Sequence, residues 1–124
     1  MVMTRLTIRI DFAPDAAFGP GKARLLELVE ETGSIRRAAA GMGMSYRRAW
    51  LLLKDIEAVI GAPAVQTRTG GAKGGGSALS PSGHAMLKRY REIEKRAARS
   101  VSRELAGLTG LARKARLQRS GGRR

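Results

Sequence analysis

Residues 33–60 read GSIRRAAAGMGMSYRRAWLLLKDIEAVI, and this segment restricts the fold more than any other. Ser34 is a good N-cap for a short helix over residues 35–40, because its hydroxyl can accept from an N–H that the first turn leaves unpaired. Gly41-Met42-Gly43-Met44 is a turn. Ser45 caps a longer helix, on which Ala49, Leu52, Leu53, Ile56, Val59 and Ile60 share one face before Gly61-Ala62-Pro63 stops it. Ala38 and Ala39 are small where two helices must cross closely. Two capped helices joined by a glycine turn make a helix-turn-helix, an arrangement whose second helix can enter a DNA major groove with its N-terminal residues foremost.

The flanking segments fit around that unit. Leu6, Ile8, Ile10 and Phe12 alternate with Arg5, Thr7, Arg9 and Asp11, the period-two pattern of a half-buried strand. Phe18-Gly19-Pro20-Gly21 is a break. From Lys22, the spacing of Leu25, Leu26, Leu28 and Val29 predicts a helix that ends at Thr32-Gly33. Residues 64–69 and 77–80 read as short strands on either side of a glycine run, a hairpin. Pro81 then opens a long helix with Ser80 as its cap. Met86, Tyr90, Ile93, Ala97, Val101, Leu105 and Leu108 recur along it at steps of three and four. That seam outruns what a core this small can cover, so a partner helix, and hence a homodimer, is expected. The fold class is mainly α with a small β component. It is a winged helix-turn-helix with an N-terminal strand, a Gly-rich β-hairpin wing and a long C-terminal dimerisation helix. Residues 1–109 form this domain, and residues 110–124 are expected to be a disordered basic tail.

Charge says what such a domain would face. The 124 residues carry a formal net charge of +14, more than solubility needs, which points to a polyanion or an anionic surface. No acid lies between Thr32 and Lys54, where Arg36, Arg37, Arg47, Arg48 and Lys54 sit. None lies between Ala58 and Arg91 either, around Arg68 and Lys73. Segments cleared of carboxylates suit a surface laid against phosphates. Arginine can bond guanine O6 and N7 with both arms, and tyrosine can meet a phosphate or a thymine methyl. Arg47 is the expected base reader, and Arg36 or Arg37 the backbone contact. Trp50 lies close to the apolar face, where core packing outweighs a contact.

The glycine run RTGGAKGGGSALS invites a different reading, a phosphate-cradling nucleotide loop. In the G-x-x-x-x-G-K-S/T pattern counted from Gly70, Gly76 stands where the lysine belongs, and Ser77-Ala78-Leu79-Ser80 intervenes before the next helix. A flexible linker is the plainer alternative. The favoured reading is a wing tip whose glycines let the backbone approach DNA, with Arg68 and Lys73 supplying charge.

Other classes find less support. The chain has no cysteine and one histidine, His84, near the start of a helix and without carboxylate neighbours in sequence; no metal site and no cofactor are expected. Glu27, Glu30 and Glu31 are ordinary helix positions, so an enzyme is not expected. The alternating N-terminus lacks the apolar block of a signal peptide, and no apolar run could span a bilayer. A cytoplasmic protein without a membrane partner is the expectation.

The segment GSIRRAAAGMGMSYRRAWLLLKDIEAVIG, followed by Leu-Ser-Pro-Ser-Gly, resembles the N-terminal winged helix of LysR-type regulators. It is more similar still to the N-terminal domain of the molybdate-dependent ModE regulators. The marks are Gly33-Ser34-Ile35, Ser45-Tyr46-Arg47-Arg48-Ala49-Trp50 and the Gly-Gly-Ala-Lys-Gly-Gly-Gly wing, and the likeness covers roughly residues 4–108. It implies a dimeric, repressor-like transcriptional regulator, linked to molybdate metabolism, on a palindromic operator in double-stranded DNA. The DNA-binding residues expected are Ser34, Arg36, Arg37, Ser45, Tyr46, Arg47, Arg48, Trp50, Lys54, Arg68, Thr69, Gly70, Gly71, Lys73 and Gly74. Those expected for dimerisation are Met86, Tyr90, Ile93, Ala97, Val101 and Leu105. ModE proteins continue into a molybdate-binding region that this sequence does not contain, so molybdate is not an expected ligand. A charge-driven architectural DNA binder is the alternative reading, and an oxyanion-storage protein ranks last.

Overall fold

The computed structural model describes residues 4–68 and 76–121. By its contacts the chain divides into two compact units, Thr7–Arg91 and Met1–Leu6 with Glu92–Arg124. The first unit holds β1 (Ile10–Ala13), β2 (Ala16–Phe18), α1 (Pro20–Thr32), α2 (Ile35–Gly41), α3 (Tyr46–Ile60), β3 (Val65–Arg68) and β4 (Gly76–Leu79). It also takes in the start of α4 (Pro81–Ser100). The rest of α4 and α5 (Ser102–Gly121) belong to the second unit.

The core of the first unit is aliphatic, with one aromatic pair. Phe18, Leu25, Leu26, Val29 and Ile56 are fully buried. Ala38, Ala39 and Ala49 are buried among them, and these small side chains let α2 and α3 pack closely against α1. Tyr90 meets Phe18 edge-on at 5.0 Å between ring centroids, a favoured arrangement for two aromatic quadrupoles. The Tyr90 hydroxyl donates to the Ile8 carbonyl at 2.6 Å, so a buried polar atom is satisfied.

This overturns the placing of Tyr90 on a dimerisation seam. The ring is 2% exposed and is already occupied by its own core. Met86 likewise packs, half-buried, against that core. Ile93 is exposed, and Ala97, Val101 and Leu105 are half-buried in the second unit.

Three further expectations change. The N-terminal strand is shorter than the alternation suggested: β1 begins at Ile10 and pairs antiparallel with β2, Ile10 opposite Phe18 and Ala13 opposite Ala16, with an irregularity between Asp11 and Ala13. β2 falls partly in what read as a break, and it makes Phe18 the core aromatic while Phe12 stays exposed. The long helix is divided into α4 and α5 at Val101, yet its hydrogen bonds continue there: the Val101 N–H donates to the Ala97 carbonyl at 3.1 Å and the Leu105 N–H to the Val101 carbonyl at 2.9 Å. Finally, α5 continues to Gly121 where a disordered tail was expected. Leu111, Ala112, Arg113, Lys114, Ala115, Arg116, Leu117 and Gln118 are all strong helix formers, which a reading of net charge alone overlooks.

The hairpin is fixed at its base. β3 and β4 pair antiparallel from Val65 opposite Leu79 to Arg68 opposite Gly76. The Ser77 N–H donates to the Gly33 carbonyl at 2.8 Å, and a Cβ on Gly76 would lie 2.9 Å from that same oxygen. The Leu79 N–H donates to Glu30 Oε2 at 3.0 Å. The α1–α2 corner and the hairpin base are thus hydrogen-bonded together.

Candidate nucleic-acid interface

Two serine caps set the geometry of the site. Ser34 Oγ accepts from the Arg37 N–H and Ser45 Oγ accepts from the Arg48 N–H, each at 3.1 Å. Each capped terminus gathers unpaired N–H groups and the positive end of a helix dipole. Between them, Met42 and Met44 close the turn on the carbonyl of Ala39, with Gly43 at φ 67°. Both serine oxygens expected at DNA are therefore acceptors within their own helices, and the hydroxyl hydrogens remain as donors.

The helical period sorts the side chains of α3. Ala49, Leu53 and Ile56 face the core. One flank carries Tyr46, Trp50, Lys54 and Glu57, on the side of a groove of about 240 Å³ whose other wall is the hairpin at Val65, Gln66 and Thr67. The other flank carries Arg48 and Leu52, which line a groove of about 350 Å³ with Arg9, Lys22, Met42 and Met44. Arg47 and Leu51, one turn apart, lie nearly opposite the core. Arg36, Arg37, Arg47, Arg48 and Arg68 are all exposed.

Two cations rest on the exposed aromatics. The Arg36 guanidinium lies over the Tyr46 ring at 4.5 Å, joining α2 to the first turn of α3. Lys54 Nζ lies 5.1 Å from the Trp50 ring centre and also pairs with Glu57 at 3.1 Å. Trp50 is 43% exposed and Tyr46 41%, so Trp50 is not the core residue that its place beside the apolar face suggested. Lys54 is partly neutralised by Glu57, which lowers its worth as a phosphate contact.

Among the described residues, ion pairs join Arg9 to Asp11, Lys22 to Asp55, Arg24 to Glu27 and Glu31, Lys54 to Glu57, and Arg91 to Glu27. None engages Arg36, Arg37, Arg47, Arg48 or Arg68. His84, read from sequence as lacking a carboxylate neighbour, has Glu30 Oε1 at 3.5 Å from Nε2, because α1 brings it there. Thr69, Gly70, Gly71, Lys73 and Gly74 lie outside the described residues. The sequence reading missed Leu51, which it assigned to neither face, although its position four residues after Arg47 places it on the outward stripe.

No protein-family model matches the chain. Among curated proteins it is 35% identical over 102 residues to the molybdenum transport protein ModE of Herbaspirillum seropedicae, covering 77% of this chain and 38% of that protein. It is 36% identical over 87 residues to the molybdenum-pterin-binding protein MopB of Rhodobacter capsulatus, covering 70% of this chain and 32% of that one. To the transcriptional regulator ModE of Haemophilus influenzae it is 30% identical over 95 residues, or 77% and 37% of the two chains. The chain belongs with the N-terminal winged helices of the ModE regulators. It spans less than two-fifths of the length of these ModE relatives. In three dimensions it is similar to the CbnR DNA-binding domain in complex with DNA, with a TM-score of 0.54 and 25% identity over 71% of this chain and 95% of that domain. Full-length CbnR complexed with its target DNA matches with a TM-score of 0.52 and 26% identity, over 69% of this chain and 28% of that one. Among the described residues, no helix is long and apolar enough to cross a membrane.

Proposed function

We propose that this ModE-type winged helix binds double-stranded DNA as a sequence-specific transcriptional regulator, with the N-terminal turns of α3 in the major groove. The observation that carries this is the capped start of α3, where Tyr46, Arg47 and Arg48 are exposed and no carboxylate pairs with either arginine. A structural role would give those cations acidic partners, as it does for Arg24 and Arg91. Arg47 reads a base edge, Arg36 and Arg37 hold the backbone from α2, and Arg68 with the wing serves the flank. Two copies sit on a palindromic operator, joined through the exposed part of the α4–α5 seam. Regulation belongs to molybdenum metabolism, as the relatives' names suggest, in the cytoplasm and without catalysis. The molybdate-responsive part of such regulators would not reside in these residues.

The test is selection of preferred sites from a random duplex library at near-physiological salt, with and without molybdate. An enriched palindrome, bound about a thousandfold or more above bulk DNA, is the expected result. Tight binding with no enriched site would favour an architectural binder. That second reading draws on α5, whose exposed Arg113, Lys114, Arg116 and Arg119 have no acid beyond Glu104 to offset them.

A further inference from the structure

We propose that Leu51 is a specificity residue that reads the 5-methyl group of a thymine, one helical turn along α3 from Arg47. The inference rests on the DNA-binding reading above and deepens it.

Leu51 is 47% exposed, although leucine is the residue type α3 uses to fill its core at Leu53. It lies on the stripe nearly opposite Ala49, Leu53 and Ile56, so no rearrangement of the core would use it. Its neighbours on the helix surface are Arg47 and Arg48 toward the N-terminus and Lys54 and Asp55 toward the C-terminus, all exposed, with Asp55 facing Lys22. An apolar side chain there is not satisfied by water, and phosphates offer it nothing. A second copy of the chain is a poor occupant, because unneutralised Arg47 and Arg48 flank the spot and would meet their own likenesses across a twofold interface. A major groove resolves both demands. Its walls are anionic, which suits the arginines, and its floor carries one apolar group, the thymine methyl. Arg47 and Leu51 stand about 6 Å apart along the axis at 1.5 Å per residue, close to two base-pair steps of about 3.4 Å. A helix lying in the groove therefore offers a guanine-type contact and, roughly two steps on, a thymine-type contact.

The test uses the full chain and the site enriched by selection. Each thymine of that site is replaced in turn by uracil, which removes the methyl group and leaves every hydrogen-bonding atom in place. The affinities of the parent and of Leu51→Ala are then compared on each duplex. At least one position per half-site should lose about fourfold in affinity with the parent protein, the equivalent of ~0.8 kcal/mol for one buried methyl-sized group. That same position should show no loss with Leu51→Ala. Uracil substitutions that leave the parent unaffected everywhere would overturn the assignment while the selected site still upholds the DNA-binding reading. Sensitivity that persists unchanged in Leu51→Ala would give the methyl contact to another residue and overturn it too. If Leu51→Ala instead alters sedimentation and leaves affinity per bound copy untouched, Leu51 belongs to a contact between copies and the proposal falls. Failure of selection to enrich any site would remove the underlying reading itself.

Discussion

Replacing Gly83 with alanine probes the joint that holds the hairpin to α4. Gly83 is buried in the first turn of that helix. A Cβ there would overlap the Ala64 carbonyl oxygen and stand 3.0 Å from the Ala64 carbonyl carbon and 3.2 Å from its Cα. These are backbone atoms, so no side chain can swing aside. To make room, the start of α4 must move off the residues just before β3. That movement strains the Ser80 N–H bond to the Ala64 carbonyl at 2.9 Å and the Ser80 hydroxyl bond to the Pro63 carbonyl at 2.5 Å. Each such bond contributes about 1 kcal/mol net, and overlap that stays unrelieved adds ~1–3 kcal/mol. Alanine gains at most about 1 kcal/mol of helix propensity over glycine. The overlap wins, and the variant should lose roughly 2–4 kcal/mol. Urea denaturation followed by circular dichroism would measure it, alongside a fall in Tm of about 4–8 °C per kcal/mol. Gly21→Ala is the control, since nothing lies within 4 Å of a Cβ there and its φ is not positive. It should be neutral or stabilising by up to about 1 kcal/mol. Equal stability of Gly83→Ala and the parent would refute the close approach of α4 to Ala64.

Tyr90→Phe keeps the edge contact with Phe18 but strands the Ile8 carbonyl, and should cost about 1 kcal/mol in the same assay. The Arg91 guanidinium donates to both Glu27 oxygens, from Nε at 3.1 Å and from Nη2 at 2.8 Å, and these bonds, followed by its charge, hold the Glu27 carboxyl below the usual carboxylate range despite partial burial. Because the folded value is depressed, that stabilisation is complete above the ordinary carboxylate range and is lost as pH falls through the folded value. Arg91→Ala should therefore lie below the parent in stability at pH 7 and converge toward it near the acid limit, which urea titrations at several pH values would follow. Arg47→Ala should weaken binding to the selected site by ~1–3 kcal/mol and relax preference at one position; unchanged affinity would displace α3 from the groove.

The parts of the fold legible in sequence are those decided locally. Ser34, Ser45 and the glycines after α1 and α3 act within their own turns, so caps and helix ends were readable to within a residue or so. What escaped depends on partners distant in sequence. β1 needs β2 to become a strand, and the alternation from Leu6 to Phe12 contains no sign of where pairing stops. Tyr90 has the spacing of a helix seam, yet Phe18 and the Ile8 carbonyl, far back in the chain, claim it for the core. Trp50 sits one residue beyond the buried Ala49, and a helical wheel alone does not say how far the covering layer extends.

Acids and arginines in the first unit are divided by task, and that division links its stability to its function. Glu27 holds Arg91 and Arg24, Glu30 holds the Leu79 N–H, Asp55 faces Lys22 and Glu57 holds Lys54. Each of these carboxylates ties one element of the scaffold to another or braces a single helix. Pairs this exposed are each worth only ~0–1 kcal/mol, so their loss would not account for so strict an arrangement. The larger effect is that carboxylates used in this way are kept off α2 and the first turns of α3. On the proposed DNA-binding reading, Arg36, Arg37, Arg47 and Arg48 would then keep their full charge for phosphates, where each neutralised phosphate releases about 0.9 of a counterion from duplex DNA. Added salt should therefore weaken DNA binding steeply while changing the unfolding midpoint little. A carboxylate introduced beside them, as in Ala40→Glu on exposed α2, should flatten that salt slope without destabilising the fold.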